Sequence, residues 1–238
     1  MTKFFLLIVL GLFSHTLNGL DRSTDTWKLV HEEDGIKIFK GQEGRQGSLP
    51  FKAETMIDAP ISLLIMAIFD YKRKPEWAPK LMKVTMIRKV SKSEFIFKER
   101  YQTPWPALHR LFNLTGSVHS PDKGKFIFTA HSIKDRTLDD SCCVTSDVKL
   151  IELIFEDKGS NKTSVNFTFQ GHFGGWIPTW LSNLILKKWP FKFLKGLELQ
   201  ALKKDLIPTA DYLEIEQLYP WLESDRKSVS VIPIQRKL

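Results

Sequence analysis

"GGWIPTWLSNLILKKWPFKFLKGL", residues 174–197, decides the fold. Two glycines and Pro178 open the stretch, and Leu181, Leu184, Ile185, Phe193, Leu194, Leu197, Ala201 and Leu202 then recur at three- and four-residue spacing. That is the period of a helix with one broad apolar face, so a long helix is predicted from Pro178, in its first turn, to roughly residue 206, just short of Pro208. Pro190 lies inside it; without an amide hydrogen it cannot bond back to Leu186, which predicts a kink. The same helix carries Lys187, Lys188, Lys192, Lys195, Lys203 and Lys204 against Glu198 and Asp205. An apolar face this wide needs something to cover, and a basic amphipathic helix edged by tryptophan also suits an anionic membrane surface.

What it covers stands upstream. "LMKVTMIRKV", "SEFIFKERYQ", "LFNLTGSVHS", "GKFIFTAHSI", "SDVKLIELIFEDKG" and "TSVNFTFQGHF" follow one another with turn residues between them, and several alternate apolar with polar. Period two is the pattern of antiparallel strands that bury one face. Before them, "GIKIFKG" and "PFKAETMID" read as two more strands joined by "QEGRQGSL", and "APISLLIMAIFDYKRKPEWAPKL" as a helix starting at Pro60 and broken near Pro75 and Pro79. "STDTWKLVHEE" reads as a short helix capped by Ser23 or Thr24 and stopped by the turn Asp34-Gly35. Beyond the long helix, "ADYLEIEQLYPWLE" reads as a short helix and "SDRKSVSVIPIQRKL" as frayed or extended. The fold class is therefore α+β: a curved antiparallel sheet with one apolar face, closed by the only helix long enough to cover it.

The first residues, "MTKFFLLIVLGLFSHTLNGL", have the build of a secretory signal peptide: Lys3, an unbroken apolar run over residues 4–13, then small and polar residues. The expectation is a leader over 1–19, export to the periplasm or the extracellular space, one domain over 20–206 and an extension over 207–238. The chain carries 35 Lys+Arg against 27 Asp+Glu, a formal +8. Loss of Lys3 with the leader would leave +7, so the basic character belongs to the domain.

Cys142 and Cys143 are neighbours and the only cysteines, so no disulfide framework exists. The two are read as small residues near a strand start rather than a redox pair. The six histidines show no zinc spacing, and "HEED" at 31–34 lacks the second histidine of a helix-borne metal site, so neither metal nor cofactor is expected. No GxSxG, phosphate-binding glycine loop or paired carboxylates with a clear partner occur, which argues for a binding protein over an enzyme. No nucleic-acid reader motif accompanies the positive charge.

Four stretches resemble the START (steroidogenic acute regulatory protein-related lipid transfer) domains: "FKAETMIDAP" with "IFDYKRKPEW", "KERYQTPWPALHRLF", "FTAHSI" and "GGWIPTWLSNLILKKWP". The resemblance runs from about Trp27 to Leu206, with Trp77, Pro104-Trp105-Pro106 and Ile177-Pro178-x-Trp180-Leu181-x-Asn183 in family order. There are departures. Arg110-Leu111-Phe112 stands where members commonly read Arg-Asp-Phe, and His172-Phe173-Gly174-Gly175 where many have Asp-Pro-Gly-Gly. Glu99 is similar in position to an acidic tunnel residue of sterol carriers, but the arginine that it would face falls near Thr115 or Gly116. The resemblance implies a helix-grip fold with an internal hydrophobic tunnel, in a bacterial-type exported member that holds one lipid-like ligand and carries or presents it between membranes as a monomer. It implies ligand contacts from Glu99, Tyr101, Phe112, Leu114, Trp180, Leu181, Leu184 and Ile185. Membrane docking falls to Lys187, Lys188, Trp189 and Lys192. The alternative is a cyclase-like tunnel enzyme of the helix-grip superfamily acting on a hydrophobic small molecule. Ligand identity stays open.

Overall fold

Hydrophobic alternation becomes a single sheet in the computed structural model, which describes residues 27–42 and 50–229; the leader-like residues 1–19 and most of the "QEGRQGSL" link lie outside the described residues. The strands are β1 (Lys28–Glu33), β2 (Ile36–Lys40), β3 (Phe51–Ile57), β4 (Leu81–Lys89), β5 (Glu94–Tyr101), β6 (His109–His119), β7 (Lys125–Ser132), β8 (Cys143–Thr145), β9 (Asp147–Asp157) and β10 (Thr163–His172). The order across the sheet is β1-β2-β3-β10-β9-β7-β6-β5-β4, and the short β8 lies parallel beside β6. The helices are α1 (Ile61–Phe69), α2 (Lys74–Trp77), α3 (Thr179–Ala201), α4 (Ala210–Leu218) and α5 (Trp221–Val229).

Within the segment expected to be an N-terminal helix, Lys28–Glu33 form β1 instead, and the expected caps Ser23 and Thr24 lie outside the described residues. Asp34 and Gly35, which in sequence resemble a helix stop, both have positive φ (49° and 75°), and Glu33 faces Ile36 across them. That is the two-residue turn whose twist matches a β-hairpin, and pairing with β2 overrides the weak local preference of "KLVHEE".

One face of the curved sheet is almost wholly aromatic and aliphatic. Phe51 and Ala53 on β3, Val165, Phe167 and Phe169 on β10, Leu153 and Phe155 on β9, Phe126 and Phe128 on β7, Leu114 and Val118 on β6, and Phe95 and Phe97 on β5 are all buried. Every second residue along each strand supplies this face, as the pleat demands. Gly116 is needed within it: a Cβ there would lie 2.8 Å from the Phe95 ring and 2.9 Å from the Phe97 ring.

Helix α3 closes the face through Leu186, Phe193, Leu194, Leu197 and Ala201, all buried at helical spacing. It remains helical through Pro190 and ends at Ala201, so Leu202, expected on the apolar face, is instead the C-cap and half exposed. At Gly196 the helix passes so close to α2 that an added Cβ would come within 2.4 Å of the Trp77 carbonyl oxygen.

Beyond α3 the chain is more ordered than its composition implies, because α4 and α5 complete the packing of α1. All but one of α1's residues are buried, yet Pro60 offers no side chain to cap it. Asp225 of α5 supplies that cap, its Oδ2 accepting from the Ser62 amide at 2.8 Å, while Thr209 donates to the Phe69 carbonyl at the other end at 3.2 Å. Tyr212, Ile215 and Leu222 join the core. Helix α5 thus continues to Val229, past Ser224, where the sequence reading lets the chain fray. Among the described residues, no helix is long and apolar enough to cross a membrane.

Candidate ligand site

Between the sheet and α3 lies a narrow cavity of about 40 Å³. Its walls are Phe97, Tyr101, Phe112 and Leu114 from β5 and β6, Phe128, Ile151 and Leu153 from β7 and β9, Phe167 and Phe169 from β10, Ile68 from α1, and Trp189 and Phe193 from α3. The rings brace one another: Trp189 stacks on Phe193 at 5.4 Å between centroids, and Phe167 meets Phe193 at 4.9 Å. A buried water needs ~10–15 Å³, so the hollow as it stands has room for roughly three waters. As it stands it is too small for an alkyl tail.

One polar cluster interrupts the greasy lining. Lys74, the first residue of α2, reaches Glu99 of β5 with Nζ 2.7 Å from Oε1; their side chains are 10% and 5% exposed. The Tyr101 hydroxyl donates to the other carboxylate oxygen at 2.7 Å. Burial first, and the Glu99 charge second, push the Tyr101 phenol well above its ordinary pKa, so it stays a donor. Both oxygens of Glu99 are thereby satisfied, which is what permits a carboxylate in this wall at all.

The expected contact residues are distributed as follows. Glu99, Tyr101, Phe112 and Leu114 line the cavity. Glu99 faces inward, while its neighbours Lys98 and Arg100 turn outward to Asp140 at 3.0 and 2.5 Å. Ile185 is half-buried and outside the lining; the side chains of Trp180, Leu181 and Leu184 lie outside the described residues. Lys187, Lys188 and Lys192 are exposed along α3.

Trp189 requires a correction. It stands four residues before Phe193 and so shares the inward stripe of α3, and its indole N–H donates to the Pro79 carbonyl at 3.1 Å. It is partly buried and forms part of the cavity wall, whereas the sequence reading places it on the membrane-facing side with the lysines. The outward tryptophans are elsewhere: Trp105, 89% exposed, with Leu108 at 59% in the β5–β6 loop, and Trp176, 66% exposed, in the loop before α3. Arg110 ties these two loops together, donating to the carbonyls of Leu108 and Trp176.

Lys74 was the residue hardest to foresee. In "YKRKPEW" it is one lysine of a basic run, and only its tertiary position distinguishes it. Phe128, Phe167 and Phe169, by contrast, follow from strand alternation alone. The β-turn 140–143, closed by the Cys143 amide on the Asp140 carbonyl at 3.0 Å, brings Cys142 and Cys143 Sγ to 2.8 Å as free thiols. Among the described residues, no group of three or more His, Cys, Asp or Glu side chains is gathered to hold a metal.

Comparison with known proteins fits this architecture. An uncharacterized protein of Pseudomonas aeruginosa is 24% identical over 182 residues, covering 76% of this chain and 89% of its own length. Among solved structures, human STARD10 superposes with a TM-score of 0.68 at 17% identity, over 84% of this chain and 81% of its own. A fragment of the STAR-related lipid transfer protein from Xanthomonas axonopodis gives 0.66 at 19% identity, over 75% of this chain and all of that fragment. These likenesses concern the fold, a curved antiparallel sheet gripping a C-terminal helix. The START domain model matches residues 16–205, most of the chain, and the protein therefore belongs to the START domain family.

Proposed function

We propose that this protein binds one hydrophobic, lipid-like molecule between its sheet and α3 and carries or presents it between membranes, acting as an exported monomer. The observation that carries the reading is the lining of the hollow beneath α3, mostly aromatic and interrupted by the Lys74, Glu99 and Tyr101 cluster, whose charges cancel. Similar folds named for lipid transfer, such as the Xanthomonas axonopodis protein, support it. The physical need is plain. Each buried methylene is worth ~0.8 kcal/mol, so a sixteen-carbon tail gains roughly 13 kcal/mol in a bilayer and leaves it slowly unless it finds an equally apolar refuge. A carrier is favoured over an enzyme because the ionisable groups of the lining, Lys74, Glu99 and Tyr101, are occupied in bonds to one another.

Membrane contact is proposed through Trp105, Leu108 and Trp176 with the exposed Lys187, Lys188 and Lys192. Exposed tryptophan seeks the headgroup region, and lysine is drawn to anionic lipid. The test is transfer of a fluorescent phospholipid between vesicles. Leu153→Trp, which fills the cavity wall, should abolish uptake while the far-UV spectrum is kept. Lys187→Glu with Lys188→Glu should slow transfer from anionic vesicles without reducing the amount bound. Transfer by the wall-filled variant equal to that of the parent would overturn the reading, and turnover of a hydrophobic small molecule would favour the enzyme.

A further inference from the structure

Among the described residues, two cations, Lys74 and Arg110, are buried on the inner side of the sheet, and one of them has its counter-charge. Lys74 is neutralised by Glu99 at 2.7 Å. Arg110 is 3% exposed, yet among the described residues no carboxylate pairs with it. Nη1 donates to the Leu108 carbonyl, Nη2 donates to the Trp176 carbonyl at 3.2 Å, and the buried Nε has no partner. An uncompensated buried charge is among the costliest features that a folded chain can hold, and burial alone lowers the pKa of this guanidinium.

Its position is informative. Arg110 precedes Phe112 by two residues on β6 and so projects from the same face as Phe112 and Leu114, which line the cavity. It stands opposite Tyr101 in register and is bonded to the loop that leads into α3. It is not itself part of the cavity lining; it comes next beyond Phe112 on this face, bonded to the two loops that bear the exposed tryptophans.

We infer that Arg110 receives the oxyanion head, carboxylate or phosphate, of an amphiphile whose tail occupies the aromatic cavity. This rests on the carrier reading above and assigns the chemical class of its ligand. Nε and Nη2 form one edge of the guanidinium, the geometry that binds two oxygens of an oxyanion at once. Nη2 is at present held by the Trp176 carbonyl, so head-group binding at this edge replaces that bond, supplies the missing negative charge and releases the loop before α3. The Lys74 cluster is a poor second candidate, since its charges already cancel and an added anion would stand uncompensated there.

The test uses one tail with different heads: a pyrene-labelled fatty acid, its neutral methyl ester and a pyrene-labelled phosphatidylglycerol, titrated into the full chain, with inorganic phosphate as a competing soluble anion. The native protein should prefer both anionic probes over the ester by about ten- to hundredfold, the span of a charge-assisted hydrogen bond. Arg110→Met should erase the preference while leaving ester binding unchanged, and should melt no lower than the native protein because it removes an unpaired buried charge. Arg110→Lys, which keeps charge but loses the two-donor edge, should fall between. Tight ester binding with no preference for anions, or a preference that survives Arg110→Met, would overturn this inference and leave the carrier reading standing. A preference abolished by inorganic phosphate at its own low affinity would point to a soluble anion and overturn the amphiphile. Failure of every probe to bind would sink both.

Discussion

Removal of the Lys74 ammonium leaves Glu99 as a buried carboxylate held only by the Tyr101 hydroxyl. With Nζ 2.7 Å from Oε1 and side chains 10% and 5% exposed, this pair is far from the solvent-screened surface case. Breaking one side of such a pair costs about 3–5 kcal/mol, because the survivor keeps its desolvation penalty and loses its partner. For a chain of this size ~1 kcal/mol moves the melting temperature by about 2–4 °C, so Lys74→Met should lower it by roughly 6–20 °C. The double variant Lys74→Met/Glu99→Leu removes both charges, and packed hydrophobic replacements for a buried pair are often neutral or stabilising. It should recover most of the loss. Urea titration of the four proteins gives the coupling directly. A single variant within about 1 kcal/mol of the native protein, or a double variant no better than the single, would refute the assignment of this pair as buried and mutually dependent.

Two further outcomes follow from local geometry. Gly196→Ala places a Cβ 2.4 Å from the Trp77 carbonyl oxygen, so α3 must back away from α2; overpacking of this kind costs about 1–3 kcal/mol, measurable by urea unfolding, and an unchanged midpoint would refute the close approach. Glu156, hydrogen-bonded by Lys125 and Lys158, has its pKa lowered from 4.5 to about 2. It therefore adds stability above its unfolded value that fades as pH falls from about 4.5 towards 2, and Glu156→Gln should flatten the acid limb of a melting-temperature profile there; an unaltered slope would contradict the pairing.

The sheet was legible because strands that bury one face must alternate, and "TSVNFTFQGHF" and "GKFIFTAHSI" do so with aromatic residues. The lid was legible from three- and four-residue spacing. β1 was not, since "KLVHEE" carries no strong period and its hairpin turn also resembles a helix stop. The Arg110 and Lys74 sites were beyond reach for a different reason. Their meaning depends on which charges approach from distant elements: Lys74 meets Glu99 across 25 residues, and Arg110 bonds Trp176 across 66. Trp189 shows the limit of composition: beside two lysines it looks like a membrane anchor, yet its turn of the helix directs it inward. Cys142 and Cys143 form a close pair of free thiols and take no part in the cavity.

Native mass spectrometry of the full chain, purified from its own host without detergent, tests the central claim most directly. The account predicts a complex heavier by one hydrophobic molecule that organic solvent extracts, with occupancy lost in Leu153→Trp. A chain at its bare mass that takes up no lipid from vesicles would contradict it.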